Sequence, residues 1–475
     1  MDNIFLKGKE EILLVKGECD LEGTILDKSS KLYRDIKEQL EYDFHKKAIK
    51  LNQCSKNLVG KGVEPNILFI SKNQGGFSRK GIKIVHKDSE EFYTDVNFVD
   101  LALDEENVAK GELKIFTHEL GHVMMDNILQ DILKYSKASK QHCSIGITDY
   151  FMAFFEGWGE HFERMAYENI DKYKDMVEKG YGYDKDIINL WHCNRDEEFR
   201  REGVLKNKYI YRKIPIDMKK EKISTREAIL REHISFDYDS TKILTAGEMM
   251  ACEGVLATLF YRINTSKVIQ YNGIKKEILD RFLIEPVKEN DIGYDFHGIE
   301  LAILKNFWVW TLMKDNINKD TVPFIEYIKI WTEEFKEDKD EILNVFLSTT
   351  IGTTVTNDLK EIYEEASKQG AMGNIDKFIP LIKHYREEYK KVFEKIKNED
   401  IALDEMIPKE VWVKSKNMKI PSIIWEKESG VPLMINMNTA SINELMTIEN
   451  MRMETAEKIL AERNRGIYRI NSCIK

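Results

Sequence analysis

The feature that most constrains this fold is the helical spacing of apolar residues, which continues through most of the chain. Only eight of the 475 residues are proline, so long helices are seldom interrupted. From about residue 106 onward, apolar residues recur at helical spacing in 108–135, 149–168, 246–263, 299–314, 322–336 and 376–397. Before residue 106, the segments NILFIS (66–71) and GIKIVH (81–86) favour strands, with Asn73, Gly75 and Gly76 turning between them. These patterns predict an α+β fold that is mostly α.

The same patterns divide the chain into four parts. We expect a mixed α/β region over 1–105, a helical domain over 106–285, a second helical domain over 286–415 and a separate unit over 434–475. Pro421, Gly430 and Pro432 lie in a stretch, 407–433, whose composition predicts a linker.

Composition excludes several classes of protein. Hydrophobic residues make up 42% and charged residues 32%, a balance typical of globular chains that bury a core. The net charge of −10 argues against a chain that mainly coats nucleic acid or an anionic membrane. No apolar signal-peptide core and no run of ~18 apolar residues is seen, so we expect a cytoplasmic protein that does not span a membrane. None of the six cysteines forms a CxxC pair, so neither a disulfide framework nor a cysteine zinc site is expected.

One short motif carries chemistry. The segment IFTHELGHVMM (115–125) contains His118, Glu119 and His122 in the spacing His-Glu-x-x-His. On a helix, positions i and i+4 lie one turn apart on one face, so both imidazoles can reach one metal ion. Glu119 lies beside the first histidine without having to bind the metal, which suits a general base for a water activated by the metal. The apolar flanks predict a buried helix, where two histidines and a carboxylate need partners.

A catalytic zinc ion needs a third protein ligand and an open fourth position. The next predicted helix, TDYFMAFFEGWGEHFER (148–164), is capped by Thr148 or Asp149 and carries Glu156, Glu160 and Glu163 on one face. Glu156 is the preferred ligand. Glu160 is expected to accept a hydrogen bond from the far ring nitrogen of a ligating histidine and so fix its tautomer. The reverse assignment, with Glu160 as the ligand, stays open.

These residues resemble the gluzincin superfamily of thermolysin-like and aminopeptidase-N-like zinc peptidases. The order is the same: His118, Glu119 and His122, then the Glu156-Gly157 step, then Glu160. The resemblance covers about 108–168 and implies that 106–285 is a zinc catalytic domain, with strands of 1–105 at the substrate edge. The gap between His122 and Glu156 is longer than in many members, which predicts a longer connection over 129–147 between two antiparallel helices.

Weaker elements have simpler interpretations. GAMGN (370–374) is similar to the substrate strand of aminopeptidases but follows the histidine motif instead of preceding it, so it is taken as a coincidence. Tyr261 is a weak candidate for stabilising an oxyanion, and a core position is favoured for it. The remaining histidines that we considered are expected to be structural: His142, His161, His233 and His297.

The last segment, 435–470, resembles the helix-hairpin-helix unit of competence-type DNA-binding proteins. Ser441 caps its first helix, and Met453 or Glu454 opens the second. The hairpin glycines that bring backbone amides to a DNA phosphate in that family are replaced here by Glu449-Asn450-Met451-Arg452. A packing or protein-contact role is therefore favoured over DNA binding.

The sequence thus predicts a zinc peptidase that acts on a peptide or protein substrate. Endopeptidase activity is favoured over aminopeptidase activity, because no amine-anchoring motif precedes His118. One alternative is a DNA-associated metalloprotease that uses the C-terminal unit, and steeply salt-dependent DNA binding would identify it. Another is a non-enzymatic binding protein with a zincin fold, against which the intact Glu119 argues. The sequence does not indicate an oligomeric state.

Overall fold

The computed structural model describes residues 12–17, 21–72, 75–138, 142, 147–181, 243–283, 296–407, 412–420, 431–438 and 440–464. The strands are β1 (Ile12–Gly17), β2 (Glu22–Ile25), β3 (Asn66–Ile70), β4 (Gly76–Val85), β5 (Glu90–Leu101), β6 (Trp412–Ile420) and β7 (Val431–Asn436). The first six helices are α1 (Lys31–Leu40), α2 (Asp43–Leu58), α3 (Glu105–Ala109), α4 (Ile115–Leu129), α5 (Tyr150–Asn169) and α6 (Asp171–Tyr181). The helices that follow are α7 (Ala246–Met250), α8 (Glu253–Thr265), α9 (Lys267–Tyr271), α10 (Lys276–Leu279), α11 (Ile299–Met313), α12 (Pro323–Glu334), α13 (Lys339–Thr349), α14 (Asn357–Ala371), α15 (Ile375–Lys397), α16 (Ile442–Leu445) and α17 (Met453–Asn464).

A small closed barrel forms the β part of the N-terminal region. Its strand order is β1-β2-β4-β5-β3, with antiparallel β1–β2 and β4–β5 pairs and parallel pairs elsewhere. Side chains alternate between the two faces of each strand. The inner face packs Val15, Ile67, Phe69, Ile82, Ile84, Val96 and Phe98 into one cluster, and residues such as Leu68 and Ile70 face the helices. The fold class predicted from the sequence, α+β and mostly α, is confirmed.

One continuous core of buried side chains joins the barrel to the helices. It extends from Ile12 to Leu403 and includes the fully buried rings of Trp158, Trp310 and Trp331. The core is therefore shared across the boundaries predicted at 105/106 and 285/286.

A buried polar network fixes helix α4 against the barrel. Asn127 donates hydrogen bonds to the Asn52 side chain at 3.2 Å and to the Ser55 hydroxyl at 2.9 Å, both on α2. The Asn97 side chain on β5 donates to the side-chain oxygen Oδ1 of Asn127 at 2.9 Å. Because buried amides are costly unless they are paired, these bonds favour a single position of α4.

Most of the predicted elements are found, with some differences in their bounds. The strand predicted over 81–86 begins earlier, at Gly76, while Asn73 of the predicted turn lies outside the described residues. The helix predicted over 246–263 is interrupted at Ala251 and Cys252, which separate α7 from α8. The linker predicted over 407–433 is wrong, because β6 and β7 pair there as an antiparallel hairpin. Pro432 fits this arrangement, since it lies next to the start of β7, where a ladder donor is dispensable.

Candidate metal centre

Helix α4 presents the two histidines of the motif on one face. It is held by an apolar set that is almost fully buried: Phe116, Leu120, Val123, Met124 and Ile128. The Nε2 atoms of His118 and His122 lie 3.0 Å apart. The one-turn spacing predicted from the sequence therefore brings both rings to one point.

Helix α5 brings Glu156 to the same point. Asp149 caps the helix by accepting hydrogen bonds from the backbone N–H groups of Phe151 and Met152, as predicted. Glu156 Oε2 lies 3.3 Å from the Nε2 atoms of both His118 and His122. The ring of Phe155 stacks on His122, with the ring centroids 4.0 Å apart.

The geometry of these three atoms suits a tetrahedral metal ion. Bonds of about 2.1 Å place neighbouring ligand atoms about 3.4 Å apart around a tetrahedron. The observed separations of 3.0, 3.3 and 3.3 Å are close to that edge length. His118, His122 and Glu156 are the group of side chains in the described part of the chain that could hold a metal ion.

Two glycines lie where helices α4 and α5 meet beside the cluster. Gly121 of α4 lies against Gly159 and Trp158 of α5, where an added Cβ would meet its nearest atoms at 3.4 to 3.5 Å. At Gly159 an added Cβ would lie 2.7 Å from His122 Cε1 and 2.9 Å from His118 Nε2. Only a residue without a side chain leaves this space beside the ligand atoms. Gly159 was not predicted, although the Gly-Trp-Gly step after Glu156 was a usable signal in the sequence.

The charges around the cluster favour a cation. In the metal-free protein, burial lowers the pKa of His118, but the Glu156 and Glu163 carboxylates outweigh burial and raise it well above its ordinary value. Burial raises the pKa of Glu156, yet the neighbouring histidines hold it well below its ordinary range. A proton on the His118 ring thus supplies positive charge that a metal ion would supply instead.

The carboxylate that faces His118 Nδ1 is that of Glu163, where the sequence predicted Glu160. Glu163 Oε2 lies 3.6 Å from His118 Nδ1, just beyond hydrogen-bonding distance, and Oε1 accepts from Lys114 Nζ at 3.2 Å. Glu160 is also buried on α5, but among the described contacts of His118 the carboxylate facing Nδ1 is that of Glu163. Both Glu160 and Glu163 lie on the Glu156 face of α5, so the rotation of α5 relative to α4 decides that Glu163 lies alongside the His118 ring.

Glu119 lies between the cluster and the barrel. Its side chain is 7% exposed and contacts the start of β4, where an added Cβ on Gly76 would lie 2.7 Å from Glu119 Oε1. Burial raises the pKa of Glu119, and the charges of His118 and His122 oppose that rise. Glu119 is not one of the three clustered side chains, and its separate role as a general base stays a prediction.

Asp126 lies one turn beyond His122 on α4. Its carboxylate accepts a hydrogen bond from the Ser78 hydroxyl of β4 at 3.3 Å. Burial raises the pKa of Asp126 to about 6, although the nearby charge of His122 opposes the rise.

The structure adds His142 to the site, where the sequence analysis expected a structural histidine. His142 Nε2 lies 3.4 Å from Glu156 Oε1, and Nδ1 lies 3.1 Å from Glu253 Oε2. Burial disfavours the charged ring, but Glu156 and Glu253 raise the pKa of His142 to about 10. Burial raises the pKa of Glu253 to about 8, and Glu160 adds to that rise against the opposing charge of His142. His142 follows no helical or strand pattern, so the sequence offered no signal for this contact.

Other candidates lie away from the cluster. The Tyr261 hydroxyl donates to Glu168 Oε2 at 2.5 Å, and Glu168 is three turns beyond Glu156, about 18 Å along α5. Tyr261 is therefore wrongly placed to stabilise an oxyanion at this site. His161 is buried and contacts Asn264 at 2.9 Å, and burial lowers its pKa to about 3, as expected of a structural ring.

His297 and the GAMGN segment are not among the clustered side chains. The backbone N–H of His297 donates to Glu300 at the start of α11. Residues 370–374 form the end of α14 and a turn at Gly373, so they are not a substrate strand. His233 lies outside the described residues.

The C-terminal unit has two short helices, as expected from its resemblance. Ser441 and Glu444 form a capping box at α16, and α17 begins at Met453. Asn450 adopts a positive φ of 61° in the hairpin, a conformation that glycine adopts more easily. Arg463 donates to the carbonyl oxygen of Ala440 at 2.6 Å and so ties α17 to the start of the unit.

Strand β7 joins this unit to the site helix. The backbone N–H of Met434 donates to the carbonyl oxygen of Ile147 at 3.2 Å, three residues before α5 begins. Ile147 also forms a β-bridge with Cys252, and the ring of Trp412 on β6 packs edge-on against Tyr150. A boundary at residue 434 would therefore cut through a strand that contacts the body.

No family model, curated protein or solved structure matches this chain. The geometry of the His118, His122 and Glu156 side chains is therefore the basis for any function proposed for this site. Within the described residues, no helix combines the length and apolar character needed to cross a membrane.

Proposed function

We propose that this protein is a zinc-dependent peptidase, with His118, His122 and Glu156 as metal ligands and Glu119 as general base. The observation that carries the proposal is the convergence of these three ligand atoms at 3.0 to 3.3 Å beside the gap left by Gly159. Two imidazoles and one carboxylate form a ligand set that zinc uses in hydrolytic sites, where a fourth position stays open.

A bound zinc ion would polarise the scissile carbonyl and lower the pKa of a water molecule. Glu119 takes the proton from the attacking water and passes it to the leaving amine. Its burial beside Gly76 supports this role, because a carboxylate with a raised pKa holds a transferred proton more firmly. Lys114 and Glu163 support the His118 ring from the side opposite the metal.

We place the substrate along residues 76–80 of β4, the part of this strand that β2 is too short to cover. Strand β2 pairs only with Lys83–Val85 of β4, so among the described strands the segment 76–80 pairs with β5 alone. This free edge begins at Gly76, next to Glu119. An extended peptide could add to it as a further strand, which would present its backbone carbonyls to the cluster.

Endopeptidase activity is favoured within this proposal. An edge strand binds the backbone of any extended segment, whether or not a chain terminus is near. GAMGN, the motif that could have anchored a terminal amine, is at the end of α14.

Metal analysis and a peptide digest test this function. We expect one equivalent of zinc in the purified protein and cleavage of a peptide library that stops when a chelator removes the metal. Glu119→Gln is the matched variant, because the amide has nearly the same shape but cannot take a proton. It should keep the zinc and lose cleavage. Full cleavage by Glu119→Gln, or wild-type protein without stoichiometric zinc, would contradict the proposal.

A further inference from the structure

The two oxygens of Glu156 face different partners. Oε2 faces the Nε2 atoms of His118 and His122, whereas Oε1 lies 3.4 Å from His142 Nε2. His142 is outside the group of three side chains whose atoms could share one metal ion. Oε1 of Glu156 thus faces His142, which is not itself placed to bind the metal.

His142 is held in turn by a fully buried carboxylate. Its Nδ1 lies 3.1 Å from Oε2 of Glu253, the first residue of α8. Ile147 and Thr148 are fixed to the same place, because Ile147 bridges Cys252 and the Thr148 N–H donates to the Ala251 carbonyl oxygen at 2.8 Å. Backbone and side chain therefore both attach the inter-helix connection to the start of α8.

We propose that His142, oriented by Glu253, is a positioning residue that holds Oε1 of Glu156 and leaves only Oε2 to bind the metal. The inference rests on the metal site proposed above. A ligand carboxylate without a partner on its second oxygen can rotate and bind through both oxygens. Binding through one oxygen keeps the fourth position open for chemistry. Hydrogen bonds to ligating carboxylates generally have this orienting effect.

Three substitutions of His142 distinguish the positioning of Glu156 from a general contribution to stability. Glutamine extends its amide nitrogen to about the place of Nε2 and can still donate to Glu156. Asparagine places its amide nitrogen near Nδ1 and can reach only Glu253. Alanine removes both contacts. Because the His142 side chain is 28% exposed, none of these changes leaves a cavity in the core.

The experiment measures zinc affinity by competition with a chromophoric chelator and the visible absorption of the cobalt(II)-substituted protein. We expect His142→Ala to weaken zinc binding by roughly tenfold to a hundredfold. Cobalt absorption should weaken as well, because an additional carboxylate oxygen raises the coordination number. His142→Gln should recover most of the affinity and the absorption, and His142→Asn should not.

Glu253 provides the second half of the test. Glu253→Gln keeps an acceptor for Nδ1 and should stay close to wild type, whereas Glu253→Ala should resemble His142→Ala. The double alanine variant should be no worse than either single variant, since the two residues act through one contact. Wild-type affinity and absorption in His142→Ala, or better recovery by asparagine than by glutamine, would overturn the positioning role alone. A wild-type protein that binds no zinc would overturn the metal site itself and this inference with it.

Discussion

Gly159→Ala should disable the metal site while leaving the fold largely intact. The new Cβ would lie 2.7 Å from His122 Cε1 and 2.9 Å from His118 Nε2. Nonbonded contacts of this kind are favourable at about 3.5 to 4.0 Å, so the rings have to retreat by about 0.6 Å or more. Metal–ligand distances tolerate about 0.2 Å. We therefore expect zinc affinity to fall by at least about a hundredfold, measured by chelator competition.

Gly121→Ala is the matched control on the partner helix. Its Cβ would meet its nearest neighbours at 3.4 to 3.5 Å, which is ordinary contact, and alanine favours a helix over glycine by about 1 kcal/mol. It should bind zinc like the wild type and unfold at a slightly higher temperature. Thermal unfolding in chelator should show Gly159→Ala destabilised by only about 1 to 3 kcal/mol, the usual effect of overpacking. Zinc affinity of Gly159→Ala within threefold of the wild type would refute the placement of the metal.

Three further changes probe the surroundings of the site. Glu163→Ala should weaken zinc binding about tenfold to a hundredfold, because Glu163 faces His118 Nδ1, and Glu160→Ala should weaken it less. Zinc affinities are measured by chelator competition. A larger loss in Glu160→Ala than in Glu163→Ala would support Glu160 as the residue that orients the histidine, as the sequence predicted. Asp126→Asn should stabilise the metal-free protein above pH 6. The raised pKa of Asp126, about 6 against 3.8, means that wild-type stability falls as pH rises from about 4 to 6, by about 3 kcal/mol at 1.4 kcal/mol per pKa unit. Urea unfolding at pH 4 and pH 8 should therefore show a gain only at the higher pH, and an equal effect at both would exclude burial of the charge as its cause. Truncation after residue 411 removes β6 and β7 and should lower the unfolding temperature. Truncation after residue 438 keeps both strands and should not change zinc binding. Equal unfolding temperatures of the two truncated proteins would show that β6 and β7 do not contribute to stability.

The sequence was informative wherever one local rule decided the outcome. The one-turn spacing of His118 and His122 depends only on helix geometry, and the cap at Asp149 depends only on the residues beside it. Glu156 could be proposed because a carboxylate in an apolar helix requires a partner. These positions needed no knowledge of which elements pack together.

The remaining features depend on contacts between distant segments. The choice between Glu160 and Glu163 is set by the rotation of α5 about its axis relative to α4, which spacing within one helix does not determine. His142 meets Glu253 because the connection after α4 is attached to the start of α8. The strand hairpin at β6–β7 was missed because prolines and a glycine signal turns more clearly than they signal the strands beside them.

The bond between Met434 and Ile147 has a consequence for the order in which the molecule assembles. His118 and Glu156 are 38 residues apart, and the helices that carry them can meet after closing a comparatively short loop. Ile147 must wait for β7, which follows all the helices from α5 to α15 in the chain. Contacts of such long range form slowly, because the entropy of closing the intervening chain is lost before the contact stabilises anything. Helices α4 and α5 can thus pair early during synthesis, while Ile147, which leads into α5, gains its bond to Met434 only after α15 has been made.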